Sequence, residues 1–220
     1  MIRGLLFDLD GTLTHTDALH YQVWQSLLAD SGVDLDPVTY RQQFSGRCNE
    51  AILAQFYPHL SPAERVTFGA AKEARFRQLA AGRLQPLAGL VELLALACQR
   101  QWRLALVTNA PRENAHFMLD ELGLRPAFEV VILGEELPAG KPDPLPYCLA
   151  LEKLGLMSAE ALAFEDSPTG IRSALGAGVQ TVGLATTHRP ADLAALGATP
   201  VITDFTDTEL AGLLELKGKT

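Results

Sequence analysis

Cysteine, aromatic residues and basic clusters are all scarce in this sequence of 220 residues. The three cysteines, Cys48, Cys98 and Cys148, are far apart and odd in number, with no CxxC pair and no Cys/His cluster at zinc spacing. That excludes a disulfide scaffold or a structural zinc as the source of stability and fits reduced thiols. Lys and Arg number 18 against 26 Asp and Glu, for a net charge of −8. The basic residues form no run, which argues against a nucleic-acid partner. An anionic substrate stays compatible, because a metal or a few local cations can reverse the field inside a cleft. No stretch approaches the roughly 18 apolar residues needed to span a bilayer. The apolar start at Met1 to Leu6 is too short for a signal-peptide core. A cytoplasmic protein without a membrane partner is expected, and nothing in the sequence asks for more than a monomer. Aromatics at 7% sit within an ordinary globular balance of 48% hydrophobic and 20% charged residues. The length suits one substantial domain, or a main domain with a modest insert.

Along the chain, hydrophobic patterning changes twice. Ile2 to Leu9 reads as a buried strand that stops at Gly11. Between His15 and about Leu84 only helical periodicity appears: Ala18 to Ser31, then stretches around 37–44, 49–57 and 62–81. The last is opened by Ser61-Pro62-Ala63-Glu64, a capping box with proline at the first helical position. After Pro86 strands and helices alternate. Helix is expected over 87–100, 112–122, 144–154, 169–175 and 207–216; strand over 103–108, 130–133, 161–164, 181–184 and 201–202. Gly123 and Gly155 close two of the helices. Such alternation implies right-handed βαβ units and a doubly wound parallel sheet of α/β class, Rossmann-like. The expected domains are an α/β core, 1–14 with 86–220, and a helical insert, 15–85. In sheets of this kind the active site lies at the carboxyl ends of the strands.

Four motifs fall at those ends. Asp8-Leu9-Asp10-Gly11-Thr12 places two carboxylates at a turn, where one can attack phosphorus and the other can exchange protons with the leaving oxygen and with water. An EF-hand calcium loop is the alternative use of such acids, but the terminal Glu it requires is missing. Thr108-Asn109 offers a hydroxyl and an amide before a helix, suited to phosphoryl oxygens and equally to an N-cap. In Gly140-Lys141-Pro142-Asp143-Pro144 two prolines stiffen the loop that presents Lys141, a cation able to balance charge on a phosphoryl group and on Asp8. Glu165-Asp166, at the end of an apolar strand, face the first acidic pair and suit Mg²⁺, which needs few protein carboxylates.

The order DxDGT, Thr-Asn, GKPDP and EDSPxG resembles the haloacid dehalogenase superfamily, more narrowly its phosphatase and β-phosphoglucomutase branch with a helical cap. The resemblance covers essentially the whole chain. It implies Asp8 as nucleophile, Asp10 as general acid/base with a carbonyl that also binds Mg²⁺, and Thr108, Asn109 and Lys141 on the phosphoryl group. It further implies Asp8, Asp10 and Asp166 on Mg²⁺, with Glu165 joining directly or through water. The second aspartate, Asp10, argues against carbon–halogen hydrolysis. The insert would be a lid with hinges at 15–21 and 85–89, carrying specificity residues. Arg47, in the segment Ser45 to Glu50, is placed to hold a distal anionic group or to lie exposed on the surface. His20 and Lys72 fall where β-phosphoglucomutases couple cap closure to proton transfer. Those mutases commonly carry arginine where this sequence has Asn49, and favour a Ser-Ala-Ser type second motif. The expectation is therefore an Mg²⁺-dependent phosphatase of a small phosphorylated metabolite, such as a sugar phosphate or phosphoglycolate. The alternatives are a phosphosugar mutase and an inactive phosphate-sensing or interaction protein on the same fold.

Overall fold

The computed structural model describes residues 1–29, 32–44 and 47–218, with side chains as far as residue 214. Ser31, Ser45 and Gly46, which entered the expectations above, lie outside the described residues. In chain order the elements are β1 (Gly4–Phe7), α1 (Asp17–Ala29), α2 (Pro37–Gln43), α3 (Asn49–Phe56), α4 (Pro62–Ala80), α5 (Leu90–Gln99), β2 (Arg103–Thr108), α6 (Arg112–Glu121), β3 (Val130–Leu133), α7 (Leu145–Leu154), β4 (Ala161–Glu165), α8 (Pro168–Gly176), β5 (Gln180–Leu184), α9 (Pro190–Ala195), β6 (Val201–Ile202) and α10 (Thr208–Gly218). Short 3₁₀ turns occupy Arg125–Ala127, Gly134–Glu136 and Ser158–Glu160. No helix of the described residues is long and apolar enough to cross a membrane. The chain divides into two compact units, Met1–His15 with Gln85–Thr220, and Thr16–Leu84.

The first unit is built on six parallel strands in the order β3-β2-β1-β4-β5-β6. From β1 the chain winds outward one way through β2 and β3, then the other way through β4, β5 and β6. β1 and β4 therefore flank the switch point, where open α/β sheets bind ligands. Both strands are buried along their length, as parallel strands covered on two faces should be. Phe7 of β1 and Phe164 of β4 stack at 4.8 Å, and Phe205 packs edge-on against Phe164 at 5.4 Å. Aromatic pairs of this kind add about 0.5–1.5 kcal/mol to the burial itself, and this one sits one residue before the acids Asp8 and Glu165.

Several boundaries shift by a residue or more from the sequence reading, and two of the shifts have a plain physical reason. β1 ends at Phe7 rather than Leu9, because Leu9 already accepts the turn hydrogen bonds from Thr12 N and Leu13 N. α5 starts at Leu90 rather than Leu87, since its N-cap Gly89 has φ +77°, and a Cβ there would lie 2.7 Å from the Phe205 carbonyl carbon. α9 has no counterpart in the expectations: it is six residues long and buries only Leu193.

The second unit holds helices α1 to α4 and, among the described residues, no strand. More than half of the chain's few aromatic residues gather here. Trp24, Tyr40, Phe44 and Tyr57 form the core with Leu28, Leu35, Ile52 and Leu53, while Tyr21, Phe56 and Phe68 pack at its margin. Scarcity over the whole chain thus conceals one aromatic-rich core. Ser61 and Glu64 form the expected reciprocal box: the Ser61 hydroxyl accepts from Glu64 N, and the Glu64 carboxylate from Ser61 N. Asp36 caps α2 through Val38 N and Thr39 N, with Pro37 at the first helical position.

Candidate active site

Asp8 follows β1 directly, and its N–H still pairs with the Phe164 carbonyl at 3.1 Å. The chain then turns sharply, with Gly11 N donating to Thr14 O. Gly11 has φ +77°, and a Cβ on it would overlap the Asp166 carboxylate. Only glycine satisfies both the conformation and the approach. Asp10 lies half-buried in the same turn.

Lys141 closes the site from the other side. Its Nζ donates to Asp8 Oδ1 and to Glu165 Oε1, each at 2.6 Å, and all three side chains are buried. Carboxylate oxygens of Asp8, Glu165 and Asp166 lie within 4.8 Å of one another. Three carboxylates thus crowd together, and the Lys141 ammonium bonds two of them. Burial pushes the Asp8 carboxyl up to about 7, with Lys141 pulling it down and Glu165 pushing it further up. Burial, then Asp8 and Glu165, hold Asp166 well above the usual carboxylate range. For Lys141 burial opposes the charge, but the Asp8 and Glu165 carboxylates outweigh it and keep the ammonium above the ordinary lysine range.

At the end of β2 the buried Thr108 hydroxyl accepts from Ala110 N at 2.9 Å. The neighbouring Asn109 turns its side-chain amide onto the main chain of Lys141, with both bonds at 3.0 Å. Asp8, Lys141, Glu165 and Asp166 are thereby brought into one cluster, and Thr108-Asn109 is joined to it through the Lys141 loop.

Several members of this cluster are absent from the sequence reading. Tyr147, on α7 six residues past Lys141, donates its hydroxyl to Glu165 Oε1 at 2.6 Å and places its ring 5.4 Å from the Lys141 ammonium. Burial and the Glu165 charge raise this phenol well above its ordinary value, so it stays a donor. Gly170, already part of the EDSPxG motif, lies in the first turn of α8 and lets that helix press onto Glu165, since a Cβ there would overlap the carboxylate. After β5, the Thr186 hydroxyl donates to the Gly11 carbonyl, and the Thr187 hydroxyl donates to Asp166 Oδ2. The available signal was position: Thr186-Thr187 follow an apolar strand just as the four motifs do.

In the helical unit His20 and Lys72 meet, with Lys72 Nζ 2.8 Å from His20 Nδ1 and 2.9 Å from Glu73 Oε1. The His20 ring stacks on Phe76 at 4.0 Å, and Asn49 Nδ2 donates to Glu73 at 2.7 Å. Burial opposes ionisation of Glu73, but Lys72 and His20 overcome it and hold the carboxyl below its usual range. Arg47 is exposed and bonds a different set: Gln43 O at 2.8 Å, Gln55 Oε1 at 2.9 Å and Ala51 O at 3.4 Å.

A family model described as haloacid dehalogenase-like hydrolase matches residues 2–178. The chain is 34% identical to the validoxylamine A 7′-phosphate phosphatase of Streptomyces hygroscopicus, over 86% of this chain and 88% of that one. It is 32% identical to a phosphoglycolate phosphatase of Rhodospirillum rubrum, over 93% and 88%. Among solved structures, CbbY from Rhodobacter sphaeroides in complex with phosphate superposes with a TM-score of 0.84 at 31% identity, covering 97% of this chain and 99% of the other. The motifs at the strand ends and these likenesses agree, and the chain belongs to the haloacid dehalogenase-like hydrolase family.

Proposed function

We propose that the protein is a magnesium-dependent phosphatase of a small phosphorylated metabolite, a sugar phosphate or a phosphoglycolate-like ester, acting through a phosphorylated Asp8. The observation that carries this reading is the buried Lys141–Asp8 pair at the switch point, with Asp166 beside it and Asp10 in the adjoining turn. Phosphatases at 34% and 32% identity support the reaction class. The β-phosphoglucomutase likenesses fall at 22–24% identity and speak only to the fold.

The donor set fits Mg²⁺. It consists of oxygen ligands alone, and the carboxylates of Asp8 and Asp166 are crowded enough to be driven toward protonation. A hard divalent cation removes that penalty. Asp8, Asp10 and Asp166 would hold it, with Glu165 joining directly or through water. When bound, Mg²⁺ neutralises phosphoryl and carboxylate charge so that two anions can approach.

The chain's own residues do the rest. The Asp8 carboxylate attacks phosphorus, the ester P–O bond breaks, and Asp10 gives its proton to the departing oxygen. Asp10 then takes a proton from water, whose oxygen attacks phosphorus and releases inorganic phosphate and free Asp8. Lys141 keeps its proton throughout and balances the charge on the phosphoryl oxygens. Thr108 offers those oxygens its hydroxyl, and Asn109 its main chain. We read the unit Thr16–Leu84 as the cap, with the His20–Lys72 pair and Arg47 as its contribution to selectivity, and the enzyme as a monomer.

Phosphate release from a panel of small phosphomonoesters, with Mg²⁺ and with chelator, tests the proposal. Magnesium-dependent release from one or a few esters is expected. Isomerisation of β-glucose 1-phosphate without free phosphate would overturn it in favour of a mutase.

A further inference from the structure

Asn109 stands just past β2, beside Thr108, where a phosphate-binding side chain would be expected. Its amide is engaged elsewhere. Nδ2 donates to the Lys141 carbonyl and Oδ1 accepts the Lys141 N–H, both at 3.0 Å. This reproduces with a side chain the paired exchange that two strands make with their main chains. The surrounding chain is shaped to admit it. A Cβ on Gly140 would lie 2.7 Å from Asn109 Oδ1, and one on Gly134 would overlap the same atom. Both glycines precede Lys141, Gly140 directly.

From that fixed backbone the Lys141 side chain reaches Asp8 and Glu165. A lysine ammonium is a point charge on a flexible stem, so its placement depends on where the stem begins. Farther along, Asp143 N donates to Gly140 O at 3.0 Å, and the Ser173 hydroxyl on α8 donates to the Asp143 carbonyl. The loop is thus held on its β2 side by Asn109 and on its α8 side by Ser173.

We propose that the Asn109 side chain is a positioning residue for Lys141, fixing the main chain from which the lysine reaches Asp8 rather than contacting the phosphoryl group. The inference deepens the phosphatase reading and rests on it for the role of Lys141.

Asn109→Leu removes both hydrogen bonds, and Asn109→Asp keeps the acceptor while losing the donor. On the ester that the wild type hydrolyses best, both variants are expected to lose kcat by about 10–100-fold, with KM changed by less than about threefold. In a Lys141→Ala background, adding Asn109→Leu should cost less than about twofold more, because residues acting as a unit are not additive. A rise in KM at unchanged kcat, or a full additional loss in that background, would mean direct substrate contact and overturn the inference. Thermal melts identify any variant that fails to fold, and Asn109→Asp then carries the comparison. Crystal structures of the variants give a readout free of turnover. Displacement of the Lys141 ammonium from Asp8 supports the inference, and an unchanged contact overturns it. If the wild type hydrolyses no ester, the phosphatase reading fails by itself, and the variant structures still decide the role of Asn109.

Discussion

Replacing the proposed nucleophile should make the metal-free protein more stable. Asp8, Glu165 and Asp166 crowd three carboxylates together, with the Lys141 ammonium bonded to two of them, and burial lifts the Asp8 carboxyl from 3.8 to about 7 with the pull of Lys141 already included. That rise corresponds to about 4 kcal/mol between the charged and neutral forms in the folded protein. The sign follows from linkage: below 3.8 folded and unfolded chains both hold the proton, and no penalty exists. Between about 4 and 7 the unfolded chain ionises while the folded one does not, so stability falls as pH rises, and above about 7 the loss is complete. Asn at position 8 resembles the protonated acid. Removing one partner of a buried pair usually destabilises by leaving the other charge alone, but here Lys141 keeps Glu165 at 2.6 Å. The amide must still find partners of its own, so a gain of about 2–4 kcal/mol is expected for Asp8→Asn at pH 8 in chelator. In a chain of this size each kcal/mol raises Tm by about 2–4 °C. The advantage should shrink toward nothing near pH 4, and should disappear when Mg²⁺ is added, while turnover falls by at least about 10³-fold. Melting curves at several pH values, with and without Mg²⁺, are the assay. An Asp8→Asn protein that melts at or below the wild type at pH 8 in chelator would refute the reasoning, since pairing with Lys141 would then outweigh the crowding.

Mg²⁺ at about a hundred times its dissociation constant should stabilise the wild type by about 2.7 kcal/mol, or roughly 5–10 °C in Tm, reversibly with chelator. An unchanged melt would remove the metal from the proposal. Thr187→Val deletes the hydroxyl that donates to Asp166 Oδ2. It should weaken Mg²⁺ binding by about 10–100-fold in calorimetry, and equal affinity would show that this contact does not orient the ligand. Thr12 Oγ1 is, among the described residues, the buried side-chain oxygen with no partner. Thr12→Val should therefore raise stability by about 1 kcal/mol in urea unfolding, and a loss instead would mean that the hydroxyl is satisfied.

The winding of the sheet and the four strand-end motifs were legible because each depends on local pattern: an apolar run, then a polar residue or glycine where the run stops. Side-chain direction is not local in this sense. Nothing in Thr108-Asn109 says that the amide turns to a loop 32 residues away, and nothing in the α7 sequence says that Tyr147 points at Glu165 rather than into the apolar core around it. The helix α9 escaped notice because a single buried residue, Leu193, produces no periodicity.

Glu165 and Asp166 show the same limit at its sharpest. As adjacent acids they read as one metal-binding pair, and their carboxylate oxygens do lie within 4.8 Å of each other, but each has hydrogen-bond partners that adjacency alone does not reveal. Glu165 goes toward α7, where Lys141 and Tyr147 share its Oε1, and Asp166 goes toward Gly11 and Thr187. The pair therefore couples two halves of the site. Asp166 faces the turn that carries Asp10, while Glu165 holds the cation that neutralises Asp8. Charge at position 165 acts on Asp8 through Lys141, and charge at position 166 acts beside the turn, so a neutral residue at either position is expected to disturb a different part of the site.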